Sequence, residues 1–240
     1  MTKRSFLFLF ISLSSSATQI PDELWTTEDL SSSGFTQTPA QGAGPFYPQF
    51  FPKNPDTDLT QVEGKTARGI QVLVQGHIAH VSGSPIEGAL VEIWQACQNG
   101  SYNHPGDSNP APRDPNFQYY GRTLTDKNGS YSFRTIIPGP YPASDQWMRP
   151  SHIHFKISHK QHRPFITQLY FDGHSFKDQV ISTVGGQDVT GHALNKLNEL
   201  DLMLRQTPKH NRHALIVPFY ETAESDIPVG TFNLYLENNF

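Results

Sequence analysis

His152-Ile153-His154-Phe155-Lys156-Ile157-Ser158 carries the signal of a β-strand. In a strand alternate side chains share a face, so the imidazoles of His152 and His154 point the same way and one metal ion could bridge them. Similar signals recur at short intervals on both sides. Residues 70–79 alternate apolar and polar, Ser82-Gly83-Ser84-Pro85 makes a turn, and 89–96 carry Val91, Ile93 and Trp94. Residues 121–125 and 131–136 flank Asp126-Lys127-Asn128-Gly129, where Asn-Gly is a strong hairpin signal. Each of these two pairs is expected to close as a hairpin. Further runs at 152–158, 165–171, 214–220 and 231–236 bring the total to roughly eight strands. The expected fold is all-β: a two-sheet β-sandwich with long loops and an irregular N-terminal arm. One helix is predicted, over 193–204, where Leu194, Leu197, Leu200, Leu202 and Leu204 recur.

Composition agrees with that class. Among 240 residues, 19 Pro, 18 Gly and 12% aromatics suit short strands joined by many turns. Residues 1–17 read as a signal peptide: Lys3 and Arg4 are basic, 5–13 form an apolar run too short for a permanent anchor, and Ser14-Ser15-Ser16-Ala17 offers small residues for cleavage. A secreted or periplasmic protein is expected. Residues 18–61 form the arm, with a helical turn expected at Asp22-Glu23-Leu24-Trp25, and 62–240 form the sandwich domain. Without Lys3 and Arg4 the chain has 16 basic and 22 acidic residues, a net charge of −6 with His neutral. That balance argues against nucleic acid or an anionic membrane surface as partner of the mature chain. Cys97 is the only cysteine, so no internal disulfide can form. The sequons at Asn99 and Asn128 are read as turns.

A lone His-x-His is weak evidence, because 11 histidines in 240 residues give about half of one such pair by chance. Its neighbours strengthen it. Tyr102 and Tyr141 stand in segments crowded by Gly and Pro, where packing alone seldom places tyrosine. The pairs His77 with His80, His159 with His162, and His210 with His213 lack such neighbours and are set aside as ligands.

A longer pattern surrounds these residues. It runs through Thr38-Pro39-Ala40-Gln41, Gly44-Pro45-Phe46-Tyr47-Pro48, Gly88-Ala89-Leu90-Val91-Glu92-Ile93-Trp94-Gln95-Ala96 and Gly100-Ser101-Tyr102-Asn103-His104. It continues in Gly121-Arg122-Thr123-Leu124-Thr125-Asp126, Pro138-Gly139-Pro140-Tyr141-Pro142, Arg149-Pro150 ahead of His152-Ile153-His154-Phe155, and Thr167-Gln168-Leu169-Tyr170-Phe171. Motif by motif this resembles the intradiol ring-cleavage dioxygenases, and within them the beta-chain-like branch of the protocatechuate 3,4-dioxygenases. The resemblance implies one non-haem ferric ion (Fe3+) per chain held by Tyr102, Tyr141, His152 and His154, with Tyr141 the ligand released when substrate binds. It also implies Arg149 as a catalytic arginine and Gln168, Tyr170 and Tyr47 near the substrate. The implied partners are a catecholic small molecule, such as catechol or protocatechuate, and O2. Cleavage between the two hydroxylated carbons would give a cis,cis-muconate-type diacid, and a homo-oligomer is compatible.

Elementary chemistry runs parallel to the resemblance. A free tyrosine has a pKa near ~10, so holding it as phenolate at neutral pH costs about 4 kcal/mol, which a ferric ion can offset. Two anionic oxygen donors favour ferric over ferrous iron. Two other classes compete. A non-catalytic secreted Ig-like binding module would share the strand and turn pattern but have no use for the two histidines. A cupin-like ferrous dioxygenase uses His-x-His with a nearby carboxylate, but no Asp or Glu follows His154 before Asp172.

Overall fold

The computed structural model describes residues 34–53, 55–160 and 163–237. The segment read as a signal peptide, the arm before residue 34, the helical turn expected at Asp22-Glu23-Leu24-Trp25, and His162 lie outside the described residues. The chain is an all-β sandwich. After the arm, β1 (Gln61–Val62) and β2 (Lys65–Thr66) pair as a small antiparallel ladder. The body begins with β3 (Gln71–His80), β4 (Leu90–Trp94), β5 (Tyr120–Leu124) and β6 (Ser130–Ile136). Next come the short antiparallel pair β7 (Tyr141–Ser144) and β8 (Trp147–Arg149), then β9 (His152–Ser158) and β10 (Phe165–Phe171). A second short pair, β11 (Val180–Val184) and β12 (Gln187–Thr190), leads into helix α1 (Gly191–Leu200). The chain ends in β13 (Ile216–Val217), β14 (Phe219–Thr222), β15 (Ser225–Thr231) and β16 (Leu234–Leu236).

Five strands form one sheet in the order β13-β10-β9-β4-β5. The other sheet runs β14-β15-β3, with β6 and β16 also paired to the long β3. Val72, Val74, Ile78 and Phe133 face Val91, Ile93, Ile153, Phe155, Ile157 and Leu169 in one core, and none of them is solvent-exposed. A core phenylalanine of this kind contributes about 3–5 kcal/mol over alanine.

The two expected hairpins do not form. β3 and β4 belong to opposite sheets, and so do β5 and β6. The turn at Asn128-Gly129 is real: Gly129 has φ 74°, and the Asp126 carboxylate accepts the amides of Asn128 and Ser130 at 2.9 and 2.8 Å. Turn chemistry reverses the chain but does not choose the partner strand. β6 leaves this turn to pair with β3, where Val74 and Phe133 sit in register. The run at 214–220 is likewise divided into β13 and β14, because Pro218 between them has no amide to give a ladder. The helix begins two residues before its expected start. It stops at Leu200, where Asp201 turns to an extended ψ of 123° and its carboxylate accepts the Leu204 amide at 2.7 Å.

Around the two histidines the outer face of the first sheet is as dry as its core face. Trp94, Tyr120, His152, His154, Gln168 and Tyr170 are all at most 2% exposed. Their cover includes the arm. The Thr38 amide donates to Tyr235 O and the Gln41 amide to Ile166 O, both at 2.9 Å, while Phe35 stacks on Tyr235 at 4.1 Å. Among the described residues no helix is long and apolar enough to cross a membrane.

Candidate active site

Pairing register assembles the site's floor. On three adjacent strands Trp94, His154 and Gln168 stand side by side, and Tyr170 stands beside His152. Because β9 alternates, Ile153 and Phe155 enter the core while both imidazoles rise on the outer face. His154 stacks on Trp94 with centroids 4.7 Å apart and 5° between planes. His152 lies over Tyr170 at 5.9 Å.

Two loops bring the tyrosines to these histidines. Tyr102 follows β4 in a loop knotted by Asp107, whose carboxylate accepts the Tyr102 amide at 2.6 Å and the Asn109 amide at 3.0 Å. Gly100 lets this loop approach: its φ is +79°, and a Cβ there would stand 2.6 Å from Pro140 O and 3.1 Å from Tyr141 Cβ. Tyr141 opens β7 opposite Arg149 on β8, so the short pair delivers both side chains to one place. Phe46 of the arm packs on Tyr102 at 4.7 Å. At Gly44, φ +66°, an added Cβ would come within 3.3 Å of the His154 ring.

The four side chains named from the sequence as ligands are brought together. His152 Nε2 lies 3.2 Å from His154 Nε2 and 3.4 Å from Tyr102 Oη, and the Tyr102 and Tyr141 rings meet edge-on at 5.5 Å. Donor atoms that share one cation through bonds of ~2.1 Å stand about 3 Å apart, so this spacing fits a single ion. His152 Nδ1–H donates to Pro150 O at 2.7 Å, which leaves its Nε2 lone pair facing the cluster. His154 Nδ1 is buried without a hydrogen-bond partner. Burial, reinforced by the charge of Arg149, holds both imidazoles well below their usual pKa, so they are neutral and able to ligate. Burial drives the Tyr102 phenol well above its usual pKa and raises Tyr141 too, against the pull of Arg149. Without a cation these phenols keep their protons; with a trivalent one they would become the anionic donors that a hard ion prefers. Among the described residues no group of three or more His, Cys, Asp or Glu is placed to hold a metal, so the tyrosines are needed to complete any set.

Arg149 is held rigidly. Its Nε donates to Asp201 at 2.8 Å, and its Nη2 donates to Gln168 Oε1 at 2.7 Å and Tyr170 Oη at 3.2 Å. Gln168 in turn donates to Gly42 O of the arm at 2.7 Å. Arg149 and Gln168 line a cavity of about 890 Å³ whose wall also includes Tyr141, Phe46 and Trp147. Tyr170 lies beneath, hydrogen-bonded to two lining residues, Arg149 and Gln168. Tyr47 goes elsewhere. Its hydroxyl donates to Glu92 at 2.8 Å and accepts from Lys156 at 3.0 Å, fastening the arm beside Trp94 and away from the cavity. Asp201 was not legible from the sequence, since it lies 52 residues from Arg149 with no motif around it. Nor was the β7–β8 pair.

Residues 43–202 match a family model described as Dioxygenase. The protocatechuate 3,4-dioxygenase beta chain of Burkholderia cepacia is 37% identical over 172 residues, 62% of this chain and 72% of that one. The catechol 1,2-dioxygenase of Candida albicans is 32% identical over 140 residues, 53% of this chain and 45% of that one. In three dimensions an intradiol ring-cleavage dioxygenase from Tetranychus urticae superposes with a TM-score of 0.60 at 25% identity, covering 84% of this chain and 95% of that one.

Proposed function

The chain belongs to the intradiol ring-cleavage dioxygenase family, and from that premise we propose that it opens the ring of a catechol-type diol with O2, between the two hydroxylated carbons, to a cis,cis-muconate-type diacid. Tyr102, Tyr141, His152 and His154 would hold one ferric ion. What carries this reading is His152 Nε2 standing 3.4 Å from Tyr102 Oη and 3.2 Å from His154 Nε2, beside Tyr141 at the wall of a cavity.

A ferric ion held there would supply the positive charge that stabilises phenolate and catecholate oxygens and activates the bound diol toward O2. The chain's own residues divide the remaining work. Tyr141 lines the cavity and Tyr102 does not, so Tyr141 Oη is the donor an entering diol meets first. If it gave up its place on a bound ion, that oxygen could take the proton from a substrate hydroxyl. Arg149 faces the same cavity from a buried position, and its guanidinium can stabilise negative charge that develops on the substrate where water is scarce. Gln168 and Tyr170 fix the guanidinium so that little reorganisation is needed when that charge appears. Trp94 and Tyr170 hold the two imidazole planes.

The test is isotopic. Iron-loaded protein given a catechol under 18O2 should yield a ring-opened diacid carrying both labelled atoms. A ring-opened aldehyde, or unopened ring after iron loading, would overturn the assignment. The proposal extends to export, which rests on the basic, apolar and small-residue pattern of residues 1–17. Sequencing the mature N-terminus tests it, and an intact Met1 on secreted-fraction protein would count against cleavage.

A further inference from the structure

We propose that this site selects an uncharged catechol bearing an apolar ring substituent and discriminates against a ring carboxylate, an inference that rests on the intradiol reading above. The cavity's charges point to it. Among the described residues that line the cavity, Arg149 is the only cation. Its charge is already matched: Asp201 sits 2.8 Å from Nε, and the two side chains are 4% and 0% exposed. Its Nη2 is committed to Gln168 and Tyr170. What charge remains on its cavity side serves the reacting diol, so a second anion on the ring finds no second cation among the described lining residues.

It would instead meet acids. Asp107 and Asp145 both line the cavity. The Asp107 carboxylate is pinned in place by the amides of Tyr102 and Asn109, so it cannot swing aside without unlocking the loop that carries Tyr102. From the cavity wall, bonded to the Tyr102 amide, its negative charge also faces the reacting end of the site. The diol's own oxygens approach the four ligands in every substrate, so that cost is common to all catechols. Only the ring substituent differs, and a carboxylate there adds like-charge repulsion with no compensating pair.

Beside Ser108, Asn109, Ser144 and Gln146, much of the remaining wall is apolar. Pro45, Phe46, Pro142, Trp147, Met148 and Met203 line the cavity. A dry site of ~150 Å³ suffices for one benzene ring, whereas this cavity measures about 890 Å³. Space beyond the ring is thus available, and its lining rewards alkyl or aryl groups that shed water. Two methionines there, with their flexible side chains, can adapt to substituents of different shape.

The experiment compares 4-ethylcatechol, 4-tert-butylcatechol and protocatechuate on the iron-loaded full chain. Calorimetric titration without oxygen reads binding, and product formation with oxygen reads kcat/KM. Both alkylcatechols should bind at least about tenfold more tightly than protocatechuate and exceed it in kcat/KM by at least the same factor. Asp145→Lys, on the exposed tip between β7 and β8, should narrow that gap several-fold by improving protocatechuate alone. Protocatechuate bound as tightly as the alkylcatechols, or a gap unmoved by Asp145→Lys, would overturn the preference. The two possible failures separate cleanly. Absence of ring opening with all three compounds, with the binding order preserved, sinks the intradiol reading and still supports the charge preference. Ring opening with protocatechuate favoured sinks the preference alone.

Discussion

Around β9 the two faces of the first sheet are equally dry and chemically opposite. On β9, Ile153, Phe155 and Ile157 are fully buried against the other sheet, while His152 and His154, interleaved with them, are 2% and 1% exposed on the outer side. Burial alone therefore does not separate core from site. What separates them is the cover. The inner face meets a second sheet of largely apolar side chains, and the outer face meets a loop, the β7–β8 pair and the arm, which bring Tyr102, Tyr141 and Phe46. A strand's period of two assigns adjacent residues to these two jobs, so a slip of one residue would exchange them.

Substitutions on neighbouring positions can break that contrast. His154→Ala, on the outer face, should abolish ferric binding and lower turnover by about a thousandfold or more, while changing the unfolding midpoint of the iron-free chain little. Retained ring cleavage would contradict the ligand role. Phe155→Ala, one residue on, should do the reverse: it should destabilise the chain by about 3–5 kcal/mol in denaturant titrations, with kcat per folded molecule preserved. If both variants lost stability equally, the division of labour between faces would be wrong.

Two milder substitutions sharpen the account of the cover. Tyr141→Phe should keep some iron but slow turnover about a hundredfold, because the position that can release and accept a proton has lost its oxygen. Normal turnover would remove Tyr141 from the proton-accepting role. Tyr47→Phe should cost only about 1 kcal/mol, the worth of one hydroxyl's hydrogen bonds to Glu92 and Lys156. Burial raises the Glu92 pKa, but hydrogen bonds from Lys156, Tyr120 and Tyr47 outweigh it and hold the carboxyl below its ordinary range. Equilibrium unfolding reads the difference, and an unchanged midpoint would mean that the arm is held elsewhere.

Much of this was legible in the sequence, for a local reason. β9 and β10 span the same residues as the runs read from alternation, because period-two patterning is a property of each strand by itself. Tyr102, Tyr141, His152 and His154 could be named because each lies in a short motif. Partner choice was not legible. The turn at Asn128-Gly129 has the residues of a hairpin, yet its flanking strands part to opposite sheets, since pairing is decided by the core both must bury. Tyr47 carries no mark that distinguishes a pocket wall from a fastening, and the choice rests on Glu92 and Lys156, which lie on other strands. Asp201 escaped for the same reason: its bond to Arg149 exists only once α1 has ended beside β8.

The claim that most depends on the fold is that two phenol oxygens and two imidazole nitrogens serve one trivalent ion. Visible absorption during ferric titration of the purified chain tests it most directly. A red-brown band from tyrosinate-to-iron charge transfer, saturating at one ion per chain and lost in His154→Ala, is the predicted result; a chain that stays colourless with excess ferric ion, or a band that persists in His154→Ala, would contradict it.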